Sequence, residues 1–406
     1  MTIGAFLHPF APPARPRDEF VTIVEGRGAV VTDDRGRSYI DAMASLWYCN
    51  VGYGRRELVE AITAQAERIA GFHTFTSFTN EPAETLAERI VDLSPFDEAR
   101  VFLCQSGSEA VDTAMKLARV AHVRRGRPHR RILVSRGRGY HGVNYGGTSL
   151  SGIPVNREGF EPFVEATVVV DPDDPGKLEA TLEAYPGEVA AVIVEPVQGA
   201  SGVWPPPEGY LAAVRELCDA HGAFLVFDEV ITGFGRLGTW FAAQRYGVTP
   251  DMITFAKAVT SGYVPLAGVI VGPSVRRALE EDDDFVLRHG YTYSGHPLAA
   301  ACALANLDLI EREGLLDRVP GIETRLGGGL RDLADEGRIA AARGVGGMWA
   351  AAMPDGVAET QVAARMLERG VIARPVPGTI VFCPPLVITD AELDRVVDAL
   401  ATALGT

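Results

Sequence analysis

The chain uses lysine only at positions 116, 177 and 257; the rest of its 38 basic residues are arginine. Surface charge is arginine's task, so Lys257, closing the apolar run Met252-Ile253-Thr254-Phe255-Ala256, stands apart. Burying an unpaired ammonium is costly, and the usual uses of such an amine are a base of lowered pKa or a Schiff-base nitrogen. Other short apolar runs also deliver polar groups. Residues 223–227 (AFLVF) end in Asp228-Glu229, and residues 189–194 (VAAVIV) end in Glu195-Pro196. Residues 100–104 (RVFLC) lead through Gln105-Ser106-Gly107-Ser108-Glu109 into a helical pattern, and residues 131–135 (RILVS) lead to Gly139-Tyr140-His141-Gly142. Ligands of open α/β sheets bind beyond the carboxyl ends of the strands. A lysine, a carboxylate, an aromatic ring and a Gly/Ser helix start are therefore expected on one rim.

Each part alone has a plainer use. Ser106-Gly107-Ser108 suits a helix cap as well as a phosphate, and an Asp closing a strand is often a cap or an ion-pair member. Together the four match the needs of pyridoxal 5′-phosphate: an anchor, an amine for an imine, a partner for the pyridine nitrogen and a stacking face. Rival signatures fail on context. No G-K-[ST] follows Ser106-Gly107-Ser108, which excludes a Walker loop. Gly137–Gly142 reads G-x-G-x-x-G, yet the glycine-broken Val143-Asn144-Tyr145-Gly146-Gly147-Thr148 follows in place of a helix. Residues 147–151 lack the last glycine of a nucleophile elbow, and no H-E-x-x-H occurs. Asp171–Gly176 resembles a calcium loop but has proline at the fifth ligand position, so a turn is expected. The basic residues 124–131 and the acidic residues 280–284 read as solvated surface.

The elements that must position these groups alternate. The apolar runs named above, with residues 252–256 and 267–271 (AGVIV), are too short for helices. Helical patterns such as residues 108–123 and 211–221 lie between them, so an α/β fold with a largely parallel sheet is expected. Strand-like sequence and a helix near residues 56–70 precede this region. A helix over residues 297–312 and a small α+β region ending in residues 389–404 follow. The expected division is residues 1–50 as the N-terminal part of a small domain, 51–300 as the large domain and 301–406 as the C-terminal part of the small one.

A formal charge of −15 argues against nucleic acid or an anionic membrane as partner. The five cysteines are scattered, with no C-x-x-C, so no disulfide framework or metal site is expected. The N-terminal sequence lacks a basic-then-apolar leader, and no run reaches membrane-spanning length. A cytoplasmic location is the expectation.

Seven stretches carry a more specific likeness: LWYCNVGYGR (46–55), QSGSEAVDTAMKLAR (105–119), YHG (140–142), EPVQGASGV (195–203), FDEVITGFGRLG (227–238), FAKAVTSGY (255–263) and YTYSGHP (291–297). In this order they resemble the class-III aminotransferases of the fold-type I pyridoxal-phosphate enzymes, in the ω-transaminase branch. The resemblance implies a mostly parallel seven-stranded sheet in a large domain and a smaller α+β domain built from both chain ends. It implies that Lys257 bonds the cofactor's aldehyde and Asp228 pairs with the pyridine nitrogen. Val230 and Tyr140 would take the two ring faces, Gly107 and Ser108 the phosphate, and Glu195 the hydroxyl side. Thr292 would reach the phosphate of a neighbouring subunit, in a homodimer or dimer of dimers with shared sites. Trp47, Tyr140 and Arg374 would meet the substrate, with Pro375 stiffening the arginine's loop. The implied reaction is a ping-pong exchange in which Lys257 leaves the cofactor and moves a proton between substrate and cofactor carbons. An amine or ω-amino acid would be the donor, with pyruvate the favoured acceptor and 2-oxoglutarate the second. The alternatives are an aminomutase of the glutamate-1-semialdehyde type and a catalytically silent binding protein on the same fold.

Overall fold

A computed structural model describes residues 4–405, so the first three residues of the expected N-terminal segment, and Thr406, lie outside the described residues. The chain opens with a meander of β1 (Ile23–Arg27), β2 (Val30–Asp33) and β3 (Ser38–Asp41). Seven strands follow: β4 (Arg100–Cys104), β5 (Ile132–Arg136), β6 (Thr167–Val170), β7 (Val189–Val194), β8 (Phe224–Asp228), β9 (Met252–Phe255) and β10 (Ala267–Val271). They form one sheet in the order β4-β10-β9-β8-β7-β5-β6. All pairs are parallel except those of β10, which runs antiparallel to both neighbours. The fold is α/β with a mixed seven-stranded sheet.

Strands β7, β8 and β10 are buried along their whole length. Helices cover both faces of such a sheet, so continuous Val, Ile, Ala and Phe runs replace alternation. Strand β6, Thr-Val-Val-Val at the sheet edge, is absent from the apolar runs read in the sequence. It is short and half-exposed, so neither length nor burial marks it. The first helix after β4, Gly107–Arg124, buries Ala110, Val111, Ala114, Leu117, Ala118 and Ala121 at helical spacing. That stripe lies in one core cluster with Leu133, Ala191, Ile193 and Val226 of the strands. Ser106 and Glu109 close a reciprocal capping box at its start, which holds the helix N-terminus at the carboxyl edge of β4.

The last strands are β11 (Ala341–Val345), β12 (Met348–Ala352), β13 (Val371–Ile372), β14 (Arg374–Val376) and β15 (Thr379–Phe382). Four of them form the antiparallel sheet β11-β12-β15-β14, while β13 joins β3 in parallel to complete the N-terminal meander. The two chain ends thus share a sheet. Among the described residues no helix is long and apolar enough to cross a membrane.

The features set aside in the sequence have structural uses. Asp171 accepts the Asp173 and Asp174 N–H groups, and Asp174 caps the helix Pro175–Ala184. Arg124, at the end of its helix, pairs with Asp282 at 3.0 Å, so the basic and acidic runs meet each other.

The C-terminal helix Asp390–Leu404 buries Leu393, Val396, Ala399, Leu400 and Ala403, and Thr389 caps it. Glu392 N–H donates to Thr389 Oγ1 at 3.3 Å, and Thr389 N–H donates to Glu392 Oε2 at 2.8 Å. Thr389→Ala should cost about 1 kcal/mol. The expected result in urea unfolding is a lower midpoint with an unchanged slope and unchanged specific activity of the native protein.

Candidate active site

Strand β8 delivers Asp228 as its last residue, opposite Thr254 of β9. Its carboxylate is almost wholly buried and well held. Oδ1 accepts the Thr254 hydroxyl at 3.0 Å and the Val230 N–H at 3.2 Å, while Oδ2 lies 2.8 Å from His141 Nδ1. His141 is itself buried, and its Nε2 finds no partner among the described residues. An Nε2–H there would be an unsatisfied buried donor, so the ring's proton is assigned to Nδ1, donating to Asp228. The next residue, Glu229, faces away from the site. It accepts Ala243 N–H at 2.9 Å and the Thr232 hydroxyl at 2.9 Å, and burial pushes its pKa up to about 7.

Lys257 follows β9 by two residues and adopts a left-handed backbone, φ 51°. This conformation is uncommon for a residue with a side chain, and it persists only where the surroundings enforce it. Burial drives the Lys257 pKa below lysine's ordinary value, against the pull of the Asp228 and Glu195 carboxylates. The lysine, the aspartate and the glutamate therefore do meet on the carboxyl rim of the sheet.

Glu195, just past β7, is buried, and burial raises its pKa. Its Oε1 accepts Tyr140 N–H at 2.8 Å and its Oε2 accepts Gly199 N–H at 3.0 Å. The carboxylate thus ties the Tyr140 loop to the loop after β7. Tyr140 stands beside Asp228, Glu195 and Arg374; burial raises its phenol pKa and Arg374 lowers it.

Gly107 faces Val230. A methyl group at Gly107 would come within 3.0 and 3.1 Å of the two Val230 methyls and 3.7 Å of the Ala256 methyl. Ser108, one residue on, accepts Val143 N–H through Oγ at 3.0 Å and so joins the helix start to the Tyr140 loop. Thr292 comes from a separate loop, the one that precedes the helix Pro297–Arg312. It sits exposed on a turn closed by Ser294 N–H to Tyr291 O at 3.0 Å. The turn is fastened to the helix Gly107–Arg124 by Tyr291, whose hydroxyl donates to Glu109 O at 3.2 Å.

Arg374 comes from the small sheet. Burial lowers its pKa, with Tyr140 acting the other way; among the described residues it makes no salt bridge to a carboxylate. Trp47 has φ 71° and is 2% exposed, within an apolar cluster of Val197, Val203, Ile231, Met348, Val376 and Cys383. His141 and Thr254 carry the hydrogen bonds of Asp228 yet received no role in the sequence reading. His141 stood inside the quoted Tyr140-His141-Gly142, and Thr254 is the polar residue in an otherwise apolar strand, which was the available signal.

Residues 13–404 match the family described as Aminotransferase class-III. The β-alanine–pyruvate aminotransferase of Pseudomonas aeruginosa is 36% identical over 94% of this chain and 91% of that protein. The putrescine–pyruvate aminotransferase of the same organism is 35% identical over 92% of this chain and 88% of that protein. A PLP-bound amine transaminase from an uncultivated Pseudomonas species superposes with a TM-score of 0.94 at 34% identity, covering 99% of this chain and 98% of that one. The fold and the rim define a fold-type I transaminase scaffold. The chain belongs to the class-III aminotransferases. It is an enzyme of amine-to-keto-acid transamination, and its family depends on pyridoxal phosphate.

The residues present suit that cofactor. Lys257 offers an amine whose protonation burial opposes, Asp228 an anion pinned by three donors, and Gly107 a surface without the side chain that would collide with Val230. When bound, pyridoxal phosphate supplies an aldehyde for amines and a ring that accepts electrons. Asp228, held by Thr254, Val230 and His141, can keep a ring nitrogen protonated; Lys257 can give and take a proton at Nζ.

Only the neutral amine attacks an aldehyde, so cofactor uptake by the apoprotein should speed up as pH rises through a value below lysine's ordinary one. The Asp228 carboxylate favours the protonated amine, so Asp228→Asn should move that profile to lower pH. Stopped-flow absorbance on mixing apoprotein with pyridoxal phosphate measures both; a profile centred at lysine's ordinary pKa would contradict the assignment.

Proposed function

We propose that the enzyme moves the amino group of an amine or ω-amino acid to pyruvate, with 2-oxoglutarate as the second acceptor. One observation carries this reading: Arg374 brings a guanidinium to the Tyr140–Lys257 side of the site and makes no salt bridge to a carboxylate among the described residues. A half-buried arginine lacking an anion suits bidentate capture of a substrate carboxylate. Two relatives are named as pyruvate aminotransferases, which supports the acceptor.

In this reading Lys257 is the imine-forming amine and proton carrier, and Asp228 pairs with the pyridine nitrogen. Val230 and Tyr140 flank the ring, Gly107 and Ser108 take the phosphate, and Glu195 supports the hydroxyl side through Tyr140. Trp47, Tyr140 and Arg374 shape the substrate space, Trp47 as a buried backing.

The reading extends to a homodimer in which Thr292 reaches the phosphate held by the second copy. Phe72, Phe75 and Phe78 are exposed, as is Tyr293, and Thr74 Oγ1 donates to Ser294 O at 2.9 Å between their two loops. Exposed apolar rings gathered on two joined loops support this reading. The domain division 1–50, 51–300 and 301–406 is part of the proposal. The helix Pro297–Arg312 lies against Arg56–Ile69 and Glu81–Leu93, which favours placing the second boundary after that helix. A cytoplasmic location rests on five buried, free cysteines.

Lys257→Ala should abolish turnover, and hydride reduction of the holoenzyme should fix the cofactor at Lys257. Arg374→Ala should raise the KM for pyruvate by about 10–100-fold and leave that for an aldehyde lacking a carboxylate within about twofold. A screen of amines, diamines and β-alanine against both keto acids identifies the donor. Turnover of one substrate with no acceptor present would overturn the transaminase reading in favour of an aminomutase.

A further inference from the structure

Two arginines fasten the small C-terminal sheet to the loops that carry the site. Arg236, on the loop after β8, is fully buried. Its Nη1 donates to Pro384 O at 2.6 Å and Gly347 O at 3.4 Å, and its Nη2 donates to Asn50 Oδ1. Asn50 turns the contact into a ring: its Nδ2 donates to Phe234 O at 2.9 Å, and its carbonyl accepts Leu386 N–H at 2.9 Å. Arg343, on β11, reaches the other way. Its Nε donates to Gly202 O and Val203 O, at 2.9 and 3.0 Å, on the loop after β7. Its Nη2 donates to Thr379 Oγ1 at 3.0 Å, and its guanidinium lies 3.8 Å from the centre of the Trp204 ring.

Thr379 opens β15, and Pro384 lies just past its end. Strand β15 is therefore gripped at both ends, and Val381, between the grips, is the register partner of Arg374. Every acceptor of these two guanidiniums is neutral. Desolvating a cation against carbonyls and a hydroxyl costs free energy that an apolar pair of similar volume would not incur, so stability alone does not account for them. A rigid planar fork that spans several acceptors fixes relative position instead.

We propose that Arg236 and Arg343 are positioning residues that set where Arg374, and with it the carboxylate of a substrate, stands relative to Asp228 and Lys257. The inference rests on the proposed role of Arg374. Without the two grips, the β14–β15 hairpin keeps its apolar contacts and the backbone hydrogen bonds of Cys383 to Ala42 and Leu386 to Asn50 at one end, a hold with more freedom to slide. Substrates that use the carboxylate would then lose alignment, while those that do not use it would lose little.

The test uses holoenzyme carrying Arg236→Met, Arg236→Lys or Arg343→Met, assayed with pyruvate and with an aldehyde lacking a carboxylate, beside amide hydrogen exchange. The KM for pyruvate should rise about tenfold, and that for the aldehyde stay within about twofold. Exchange should accelerate at Cys383 and Leu386, whose N–H groups donate to Ala42 O and Asn50 O, but not within β8. Arg236→Lys, able to reach fewer acceptors, should fall between wild type and Met, and it decides the matter by the same split if the Met variants do not fold. An equal loss of kcat on both acceptors with KM unchanged, or unaltered exchange at Cys383 and Leu386, overturns the proposal. Arg374→Ala should raise the KM for pyruvate with exchange unchanged. If it does not, the carboxylate reading of Arg374 fails, and the exchange data alone decide whether the two arginines hold the sheet.

Discussion

The structure depends on one electrostatic balance: an ammonium at Lys257 that burial opposes and that two carboxylates, Asp228 and Glu195, favour. Burial alone would leave a neutral amine without specificity; the carboxylates alone would hold a protonated lysine useless as a nucleophile. The balance requires both groups to stay in place. Asp228 is fixed by three donors from three different segments, and Glu195 by two backbone N–H groups. These hydrogen bonds oppose relaxation of the carboxylates towards the lysine.

The parallel sheet makes this arrangement possible. Its strands end together, so β7, β8 and β9 bring Glu195, Asp228 and Lys257 to one edge with little help from loops. The antiparallel β10 is the exception, and it lets the chain return between β4 and β9 without a further crossover helix. The loops add what strands cannot. Ser108 holds the Tyr140 loop at Val143 and Glu195 holds it at Tyr140, so the aromatic residue and the helix N-terminus are joined through one loop.

Most of this was legible in the sequence because burial on both faces leaves an unambiguous apolar run with a polar residue at its end. Runs 189–194, 223–227 and 252–256 are of that kind, and the residues after them, Glu195, Asp228 and Lys257, come together at the carboxyl edge of the sheet. Strand β6 escaped because an edge strand half-open to solvent lacks that contrast. The direction of β10 was not legible, since an apolar pentapeptide reads the same either way. Trp47 shows a third limit: aromatic character predicts apolar surroundings without naming them, and here they are the cluster in which it lies 2% exposed. Arg236 was quoted only within a motif, because nothing in a sequence distinguishes one buried arginine among many on the surface.

The sharing of a sheet by the two chain ends bears on how the enzyme is made. Strand β3 lacks its parallel neighbour until Val371 and Ile372 leave the ribosome, and Ala42 and Asn50 likewise wait for Cys383 and Leu386. Lys257 is translated long before the strands that wall it in. The surroundings of Lys257 are therefore completed only once residues far downstream of it, Arg374 and Cys383 among them, have docked.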